Sequence, residues 1–351
     1  MNKKFNITHL VRNNVLEMSP YSSARDEYDE VSDNMVFLDA NENPFDNQVN
    51  RYPDPKQNKL KQKLSQVNGI PSNQIVLGNG SDEVLDLIFR AFCEPKIDAI
   101  ITLPPTYGMY AVLANLNDVK NIKIELDLDF QPKSSEILKA VKSNTKLLFI
   151  CSPNNPTSNS FETKKIENLI KDFPGIVVID EAYIDFSKNE SWVTRLGEFP
   201  NLIVTQTMSK AYGMAGIRLG VCYASVEIVS ILNRIKPPYN VNELTQLRAI
   251  KRLENRKEVI EEVEQILNQR DWLYKKLQGI SFIEKVFPSD ANFLLARVDD
   301  ANLRYNQLIE RGVVVRNRTN QPLCENCLRF TVGTEYENKK LIECLQLISK
   351  F

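Results

Sequence analysis

Short apolar runs alternate with amphipathic segments through much of the chain. Mostly aliphatic runs, which predict buried β-strands, occur at 75–77, 99–103, 122–126, 147–151, 176–179 and 202–204. Helical spacing of the apolar residues occurs around them, at 56–68, 84–92, 134–142 and 162–172. Strands that alternate with helices in this way favour a mainly parallel sheet covered by helices, which is an α/β fold.

The pattern changes after residue 240. Residues 242–278 are long, charged and helical in spacing, and beyond them come strands at 293–296, 313–315 and 328–332 with helices at 301–311 and 335–350. We therefore predict a second, smaller α+β domain. The full division is an N-terminal arm at 1–45, a large α/β domain at 46–240, connecting helices at 241–280, and a small domain at 281–351 that the arm partly joins.

Chemically distinctive residues follow the predicted strands. Each of five strands is followed by one of them, namely Gly80, Tyr107, Asn155, Asp180 and Lys210. In open α/β sheets, ligands bind beyond the carboxyl ends of the strands. The sequence therefore predicts one ligand site at a single edge of the sheet.

Lys210 is the central candidate at this edge. It follows the strand at 202–204 and the hydroxyl residues Thr207 and Ser209, and Arg218 comes eight positions later. Burial and a cationic neighbour both lower the pKa of a lysine, as amine chemistry requires. Taken alone, a surface lysine is the simpler interpretation, and the other strand-end residues decide against it.

The turn at 78–83 allows two compatible interpretations. A strand, a glycine-containing turn and a helix N-terminus together form an arrangement that binds phosphate. An ordinary strand-to-helix turn, with Ser81 or Asp82 as the N-cap, explains the same residues.

Composition excludes several functional classes. The 351 residues include 44 basic and 45 acidic side chains, which gives a net charge of -1. This charge provides no electrostatic attraction to nucleic acid or to an anionic membrane. No apolar run is long enough to span a bilayer, and the N-terminus lacks the apolar segment of a signal peptide, so we expect a cytoplasmic protein.

Histidine and cysteine usage narrows the chemistry further. His9 is the only histidine and lies far from the strand ends, so lysine, tyrosine, carboxylates or a cofactor must move protons. Most of the six cysteines have apolar neighbours and are expected to be reduced core residues. The pair Cys324 and Cys327 has neither a second pair nor histidines beside it, so we expect no metal site.

The strand-end motifs resemble those of a known family, the fold-type I, class II aminotransferases that depend on pyridoxal 5′-phosphate. Within it, they are most similar to the histidinol-phosphate aminotransferases. The matching segments, in the order of the family, are 41–44, 51–54, 80–83, 104–110, 152–157, 180–183, 209–211, 216–220 and 327–334. One departure is visible, because Ser158 stands where the family has glycine.

The resemblance implies a role for each matching residue around pyridoxal 5′-phosphate. Lys210 would hold the cofactor as an imine, and Asp180 would pair with the pyridinium nitrogen. The remaining contacts would be Tyr183 and Asn155 to the ring hydroxyl, Tyr107 stacked on the ring, and Ser209, Arg218 and the backbone N–H groups of Ser81 and Asp82 at the phosphate. Tyr52 would reach the phosphate from a partner subunit, which implies a homodimer.

The resemblance also implies the substrates, which are histidinol phosphate and the pair glutamate/2-oxoglutarate. Arg329 would receive the substrate's carboxylate, and Arg316 and Tyr21 would help to bind a phosphate group. Asn43 is a further candidate substrate contact. Two related activities keep the same cofactor residues and stay open, namely an aromatic aminotransferase and a threonine-phosphate decarboxylase. A ligand-sensing protein without catalysis, or a purely structural lysine, fits the sequence less well.

Overall fold

A seven-stranded sheet forms the centre of the molecule in the computed structural model, which describes residues 6–19 and 35–349. The elements up to residue 235 are α1 (Asn13–Glu17), α2 (Asn58–Asn68), β1 (Ile75–Asn79), α3 (Gly80–Phe92), β2 (Ala99–Thr102), α4 (Met109–Leu116), β3 (Lys120–Lys123), α5 (Ser134–Ala140), β4 (Thr145–Cys151), α6 (Thr163–Asp172), β5 (Ile176–Asp180), β6 (Leu202–Thr207), β7 (Leu219–Ala224) and α7 (Val226–Ile235). The strand order is β1-β7-β6-β5-β4-β2-β3, and β7 alone runs antiparallel to its neighbours. The α/β class predicted from the sequence is confirmed.

Both faces of this sheet are covered, which explains why its strands are apolar throughout. In β5, Val177 and Ile179 pack into the core on one face, whereas Ile176 and Val178 pack into the core on the other. Successive side chains of a strand point to opposite faces, so a strand between two layers of helices needs apolar residues at every position.

The rest of the chain adds a four-stranded antiparallel sheet of order β10-β11-β9-β8. Its elements and those leading to it are α8 (Glu243–Glu254), α9 (Arg256–Leu277), β8 (Ile283–Val286), β9 (Phe293–Val298), α10 (Ala301–Glu310), β10 (Arg316–Asn317), β11 (Cys327–Thr331) and α11 (Glu335–Ile348). Leu273, Leu328, Phe330 and Leu345 belong to one core between this sheet and its helices. The predicted domain boundaries themselves stay a prediction.

Several predicted elements were wrong in position. The strand predicted at 122–126 lies at Lys120–Lys123, and the residues at 313–315 are not a strand, since the pairing there begins at Arg316. The third helix begins at Gly80 with Asn79 as N-cap, not with Ser81 or Asp82. Lys120–Lys123 is half exposed at one edge of the sheet, where the apolar pattern that marks a strand is weakest.

The strand β7 was missed because Gly220 interrupts its pattern. A Cβ at Gly220 would lie 2.3 Å from the backbone N of Ser81, so only glycine allows β7 and the start of α3 to approach this closely. The helices at Met109–Leu116 and Val226–Ile235 were also not predicted.

The N-terminal segment at 6–19 packs on its own chain. Val11 and Val15 are buried in the core beneath α3 and α7, and Arg12 pairs with Glu94 at 3.1 Å. All six cysteines are buried free thiols, as the sequence predicted. Within the two described segments, no helix combines the length and apolar character needed to cross a membrane.

Candidate active site

Three neighbouring strands end side by side and form the floor of a cavity. Cys151 of β4 lies beside Asp180 of β5, which in turn lies beside Thr205 of β6. The cavity has a volume of about 150 Å³ and is lined by Ser81, Asp82, Tyr107, Cys151, Asn155, Asp180, Ala182, Tyr183, Thr207, Ser209, Lys210, Ala215 and Arg218. Four of the five predicted strand-end residues, Tyr107, Asn155, Asp180 and Lys210, therefore line one site, and the turn that contains Gly80 contributes Ser81 and Asp82 instead.

Asp180 is a buried carboxylate that accepts two hydrogen bonds. It is 3% exposed, and its Oδ2 accepts a hydrogen bond of 2.7 Å from the hydroxyl of Tyr110, while its Oδ1 accepts one of 3.2 Å from the N–H of Ala182. Burial raises the pKa of Asp180, and these two hydrogen bonds oppose that rise. Among the described residues Asp180 makes no ion pair, so a cationic group bound in the cavity would stabilise its charge.

Lys210 lies on the loop after β6 with its amine in the same cavity. Its Nζ is 5.7 Å from the centre of the Tyr183 ring. The side chain remains accessible to solvent, and the protein around it still lowers the pKa of Lys210, first through desolvation and then through the positive charge of Arg329. A lowered pKa leaves more of the amine neutral near pH 7, as a nucleophile or a general base requires.

The N-terminus of α3 and Arg218 form an anion-binding corner. Asn79 does not cap this helix with its side chain, and Ser81 and Asp82 of its first turn line the cavity. The first N–H groups of a helix have no partner within the helix and can donate to an anion. The backbone carbonyl of Arg218 accepts a hydrogen bond of 2.9 Å from the N–H of Gly80. The guanidinium of Arg218 lies 3.7 Å from the carboxylate of Asp82. A Cβ at Gly80 would lie 2.7 Å from Arg218 Nη2, so glycine at this position leaves room for the guanidinium.

A chain of polar contacts leads from the cavity to the small sheet. Asn155 donates to the hydroxyl of Tyr183 at 3.4 Å, and Arg329 donates from Nη1 to Oδ1 of Asn155 at 2.6 Å. Arg329 comes from β11, and its Nε is buried without a hydrogen-bond acceptor in the described part of the chain. Burial lowers the pKa of Arg329, because the charged guanidinium is less stable out of water when no anion lies beside it.

A family model for class I and II aminotransferases matches residues 34–345. The chain belongs to this family. It is also 61% identical over 346 residues to a histidinol-phosphate aminotransferase of Flavobacterium johnsoniae, with 98% of this chain and 99% of the relative covered.

Solved aminotransferase structures have the same fold. The histidinol-phosphate aminotransferase of Clostridium acetobutylicum superposes with a TM-score of 0.80 at 25% identity, over 86% of this chain and 91% of that one. The histidinol-phosphate aminotransferase from Sinorhizobium meliloti, solved in complex with pyridoxal 5′-phosphate, superposes with a TM-score of 0.78 at 22% identity, over 86% of this chain and 83% of that one. The fold-type I architecture expected from the resemblance is confirmed, and the chain is an aminotransferase.

Four predicted site residues that the structure describes do not line this cavity, namely Tyr52, Asn43, Arg316 and Arg329, the last of which contacts the lining residue Asn155. Tyr52 and Asn43 lie outside it, and Tyr52 is 52% exposed with its ring stacked on Tyr239 at 4.6 Å. Arg316 is exposed and lies opposite Arg329 in the pairing of β10 with β11. Tyr21 falls outside the described residues.

Two residues near the site carried no role in the sequence prediction. Tyr110 belongs to the matching segment at 104–110, but only the structure gives its hydrogen bond to Asp180. Arg318 follows β10 and lies near Arg329 and Arg316, whose charges contribute to lowering its pKa to about 10 after the larger effect of burial. Arg316 and Arg318 are two positions apart in the sequence, and this alternation could have indicated that Arg318 lies on the same face of a strand as Arg316.

Proposed function

We propose that the chain transfers the amino group of L-histidinol phosphate to 2-oxoglutarate, giving 3-(imidazol-4-yl)-2-oxopropyl phosphate and L-glutamate. Pyridoxal 5′-phosphate is its cofactor. The observation that carries the proposal is that the amine of Lys210 and the buried carboxylate of Asp180 share one cavity. Arg329, which has no carboxylate partner in the described chain, contacts the lining residue Asn155. The identity with the Flavobacterium enzyme supports the choice of substrate.

The residues in the cavity fit this cofactor. Asp180 is buried without a cation among the described residues, and a protonated ring nitrogen supplies one. The corner formed by Arg218 and the first turn of α3 suits a phosphate group, because helix N–H groups and a guanidinium both donate to its oxygens. Lys210 provides the amine that binds an aldehyde covalently.

Most polar residues of the lining then have a place. Asp180 would hold the ring nitrogen, and Lys210 would anchor the cofactor. The other contacts would be Tyr183 and Asn155 at the ring hydroxyl, Tyr107 on the ring face, and Ser209, Arg218 and the backbone N–H groups of Ser81 and Asp82 at the phosphate. Tyr107 is held in place by a hydrogen bond of 3.0 Å from its hydroxyl to Asp82.

Proton transfer falls to Lys210. When bound, the cofactor withdraws electrons from the carbon that carries the substrate's amino group and makes its C–H bond acidic. The Nζ of Lys210 takes that proton as general base and later returns a proton as general acid. The single histidine of the chain, His9, does not take this role, because it lies on the N-terminal segment and does not line the cavity.

Arg329 receives the anionic group of both substrates. Glutamate presents a carboxylate, and histidinol phosphate presents a phosphate. The planar guanidinium donates two parallel hydrogen bonds to either group, which the point charge of a lysine does not reproduce. Asn155 fixes the orientation of this guanidinium through the contact of 2.6 Å.

A homodimer completes the site in this proposal. Val36, Leu38 and Phe45 are apolar side chains with 82%, 89% and 80% exposure, and they precede Tyr52 on the same segment. A second copy of the chain that covers them would also bring Tyr52 to the cofactor phosphate. Sedimentation of the wild type and of a double variant, Leu38→Glu with Phe45→Glu, tests this, and a monomeric wild type with full activity would overturn it.

Substrate comparison tests the function directly. The holoenzyme is given histidinol phosphate, phenylalanine or threonine phosphate at equal concentration, with 2-oxoglutarate as acceptor. We expect glutamate to form fastest with histidinol phosphate. Faster reaction with phenylalanine would assign an aromatic aminotransferase, and release of CO₂ from threonine phosphate without glutamate would assign a decarboxylase.

A further inference from the structure

Three arginines share one face of the small sheet. Arg316 and Arg329 are opposite each other in the pairing of β10 with β11, and the N–H of Arg318 extends this pairing by donating to the carbonyl of Cys327 at 2.8 Å. Cross-strand partners, and residues two apart on a strand, lie on the same face. Leu328, which alternates with them, is buried in the core on the opposite face.

Arg318 is half-buried and has no counter-ion. The Nε of Arg318 is buried and has no hydrogen-bond acceptor, and the guanidinium has no carboxylate partner, among residues 6–19 and 35–349. Arg304 of the same domain, by contrast, pairs with Asp299 at 2.7 Å. A cation removed from water without an anion destabilises the fold, so this position favours a bound anion.

One of these arginines, Arg329, contacts the lining of the catalytic cavity. Arg329 contacts Asn155, which lines the cavity and donates to Tyr183. Arg318 is placed near Arg329 by the pairing of β10 with β11, because its N–H bonds to the carbonyl of Cys327, two positions before Arg329. The anion-binding corner at Arg218 is separate, because Arg218 contacts Asp82 at the start of α3.

We propose that Arg318 is a specificity-determining residue that recognises the second negative charge of a phosphate monoester substrate. This inference rests on the proposed function. A phosphate monoester carries nearly two charges at neutral pH and three terminal oxygens, whereas a carboxylate carries one charge and two oxygens. Arg329 alone satisfies a carboxylate. Arg318 bonds the remaining phosphate oxygen and therefore matters more for histidinol phosphate than for glutamate.

The two half-reactions of the holoenzyme test Arg318 separately. In Arg318→Gln we expect the KM for histidinol phosphate to rise about 10-fold or more, with kcat nearly unchanged, because a hydrogen-bonded charge contact is lost. The KM for glutamate should rise less than about 3-fold. The loss of one charged contact changes an affinity about 10-fold, and glutamate does not make this contact with Arg318. Arg329→Gln should impair both substrates.

A matched control comes from the same domain. Arg311 is exposed on the end of α10, where its guanidinium donates to the backbone carbonyl of Gln307, so Arg311→Gln should leave both KM values unchanged. Arg318→Lys keeps the charge and should recover part of the affinity for histidinol phosphate. An equal rise in KM for both substrates, or no rise for either, would overturn the proposal.

Inorganic phosphate separates this inference from the proposed function. Phosphate is measured as a competitive inhibitor of the glutamate half-reaction, so no histidinol phosphate is needed. Arg318→Gln should weaken this inhibition about 10-fold, while the KM for glutamate stays near that of the wild type. If the wild type fails to use histidinol phosphate but shows this pattern, the substrate is wrong and the role of Arg318 stands. Unchanged inhibition by phosphate would overturn the role of Arg318 itself.

Discussion

The hydroxyl of Tyr110 donates a hydrogen bond of 2.7 Å to Oδ2 of Asp180, and both side chains are buried. Tyr110 does not line the cavity, so we expect its hydroxyl to act through Asp180. Its ring is fixed by stacking on Phe149 at 4.9 Å, so the hydroxyl has one orientation. This bond lowers the pKa of Asp180 against the effect of burial and favours the charged carboxylate that a protonated ring nitrogen needs.

Removal of that hydroxyl should weaken the function of Asp180. In Tyr110→Phe we expect the rate of the first half-reaction to fall about 10-fold, the effect of losing one hydrogen bond to a charged group. The affinity of the apo-chain for pyridoxal 5′-phosphate, measured by fluorescence titration, should fall as well. Tyr223→Phe is the control, because the buried hydroxyl of Tyr223 contacts Asn68 away from the cavity. Unchanged rate and unchanged cofactor affinity would contradict the role of Tyr110.

Replacement of Lys210 should abolish both covalent attachment and proton transfer. In Lys210→Ala we expect the visible absorption band of the lysine-bound cofactor to disappear and turnover to fall by about 10²- to 10⁴-fold or more. Lys285→Ala is a suitable control, since Lys285 lies over the ring of Phe287 and does not line the cavity. Turnover retained in Lys210→Ala would remove Lys210 from the mechanism.

Glu181 should make the stability of the fold depend on pH. It is buried, accepts hydrogen bonds from Ser191 and from the N–H of Trp192, and has its pKa raised from 4.5 to about 7 by burial. The unfolded chain loses this proton near pH 4.5 and the folded chain only near pH 7, so the stabilisation is complete below 4.5 and is lost as the pH rises to 7. The difference corresponds to about 3 kcal/mol at most.

Comparison with Glu181→Gln isolates this effect. Denaturant unfolding at pH 4.5 and pH 8 should show that the free energy of unfolding of the wild type falls more steeply with pH than that of the variant. The slope with pH decides the matter, because the substitution also changes the stability at each single pH. Identical slopes would show that Glu181 titrates normally.

Ser158 combines backbone strain with a stabilising hydrogen bond. Its φ of 65° lies in the left-handed region, which explains why the family has glycine there, and its hydroxyl donates to the carbonyl of Thr157 at 2.6 Å and lies 3.1 Å from that of Pro288. Ser158→Ala keeps the strain and loses the contact, so we expect a loss of about 1–2 kcal/mol in the free energy of unfolding. Ser158→Gly relieves about 1 kcal/mol of strain and should lose less. Equal destabilisation of the two variants, measured by urea unfolding, would rule out the strain.

The sequence by itself determined the layered fold and the edge at which the site lies. Aliphatic runs such as 147–151 and 176–179 are specific for buried parallel strands, because both of their faces must be apolar. The position of Asn155, Asp180 and Lys210 just after such strands was enough to predict that they meet, since parallel strands end at one edge. The strand β3 was misplaced because it is only partly apolar, and β7 was missed because a glycine interrupts its apolar run.

Only the tertiary structure decided which side chains touch. The contact of Arg329 with Asn155 joins residues 174 positions apart, and the bond of Tyr110 to Asp180 joins residues 70 apart. Periodicity specifies elements through local geometry, but contacts between distant elements depend on strand register and packing, which no local pattern encodes. The alternation of Arg316 and Arg318 is visible in the sequence, but their position on the same face as Arg329 follows from the register of β10 with β11.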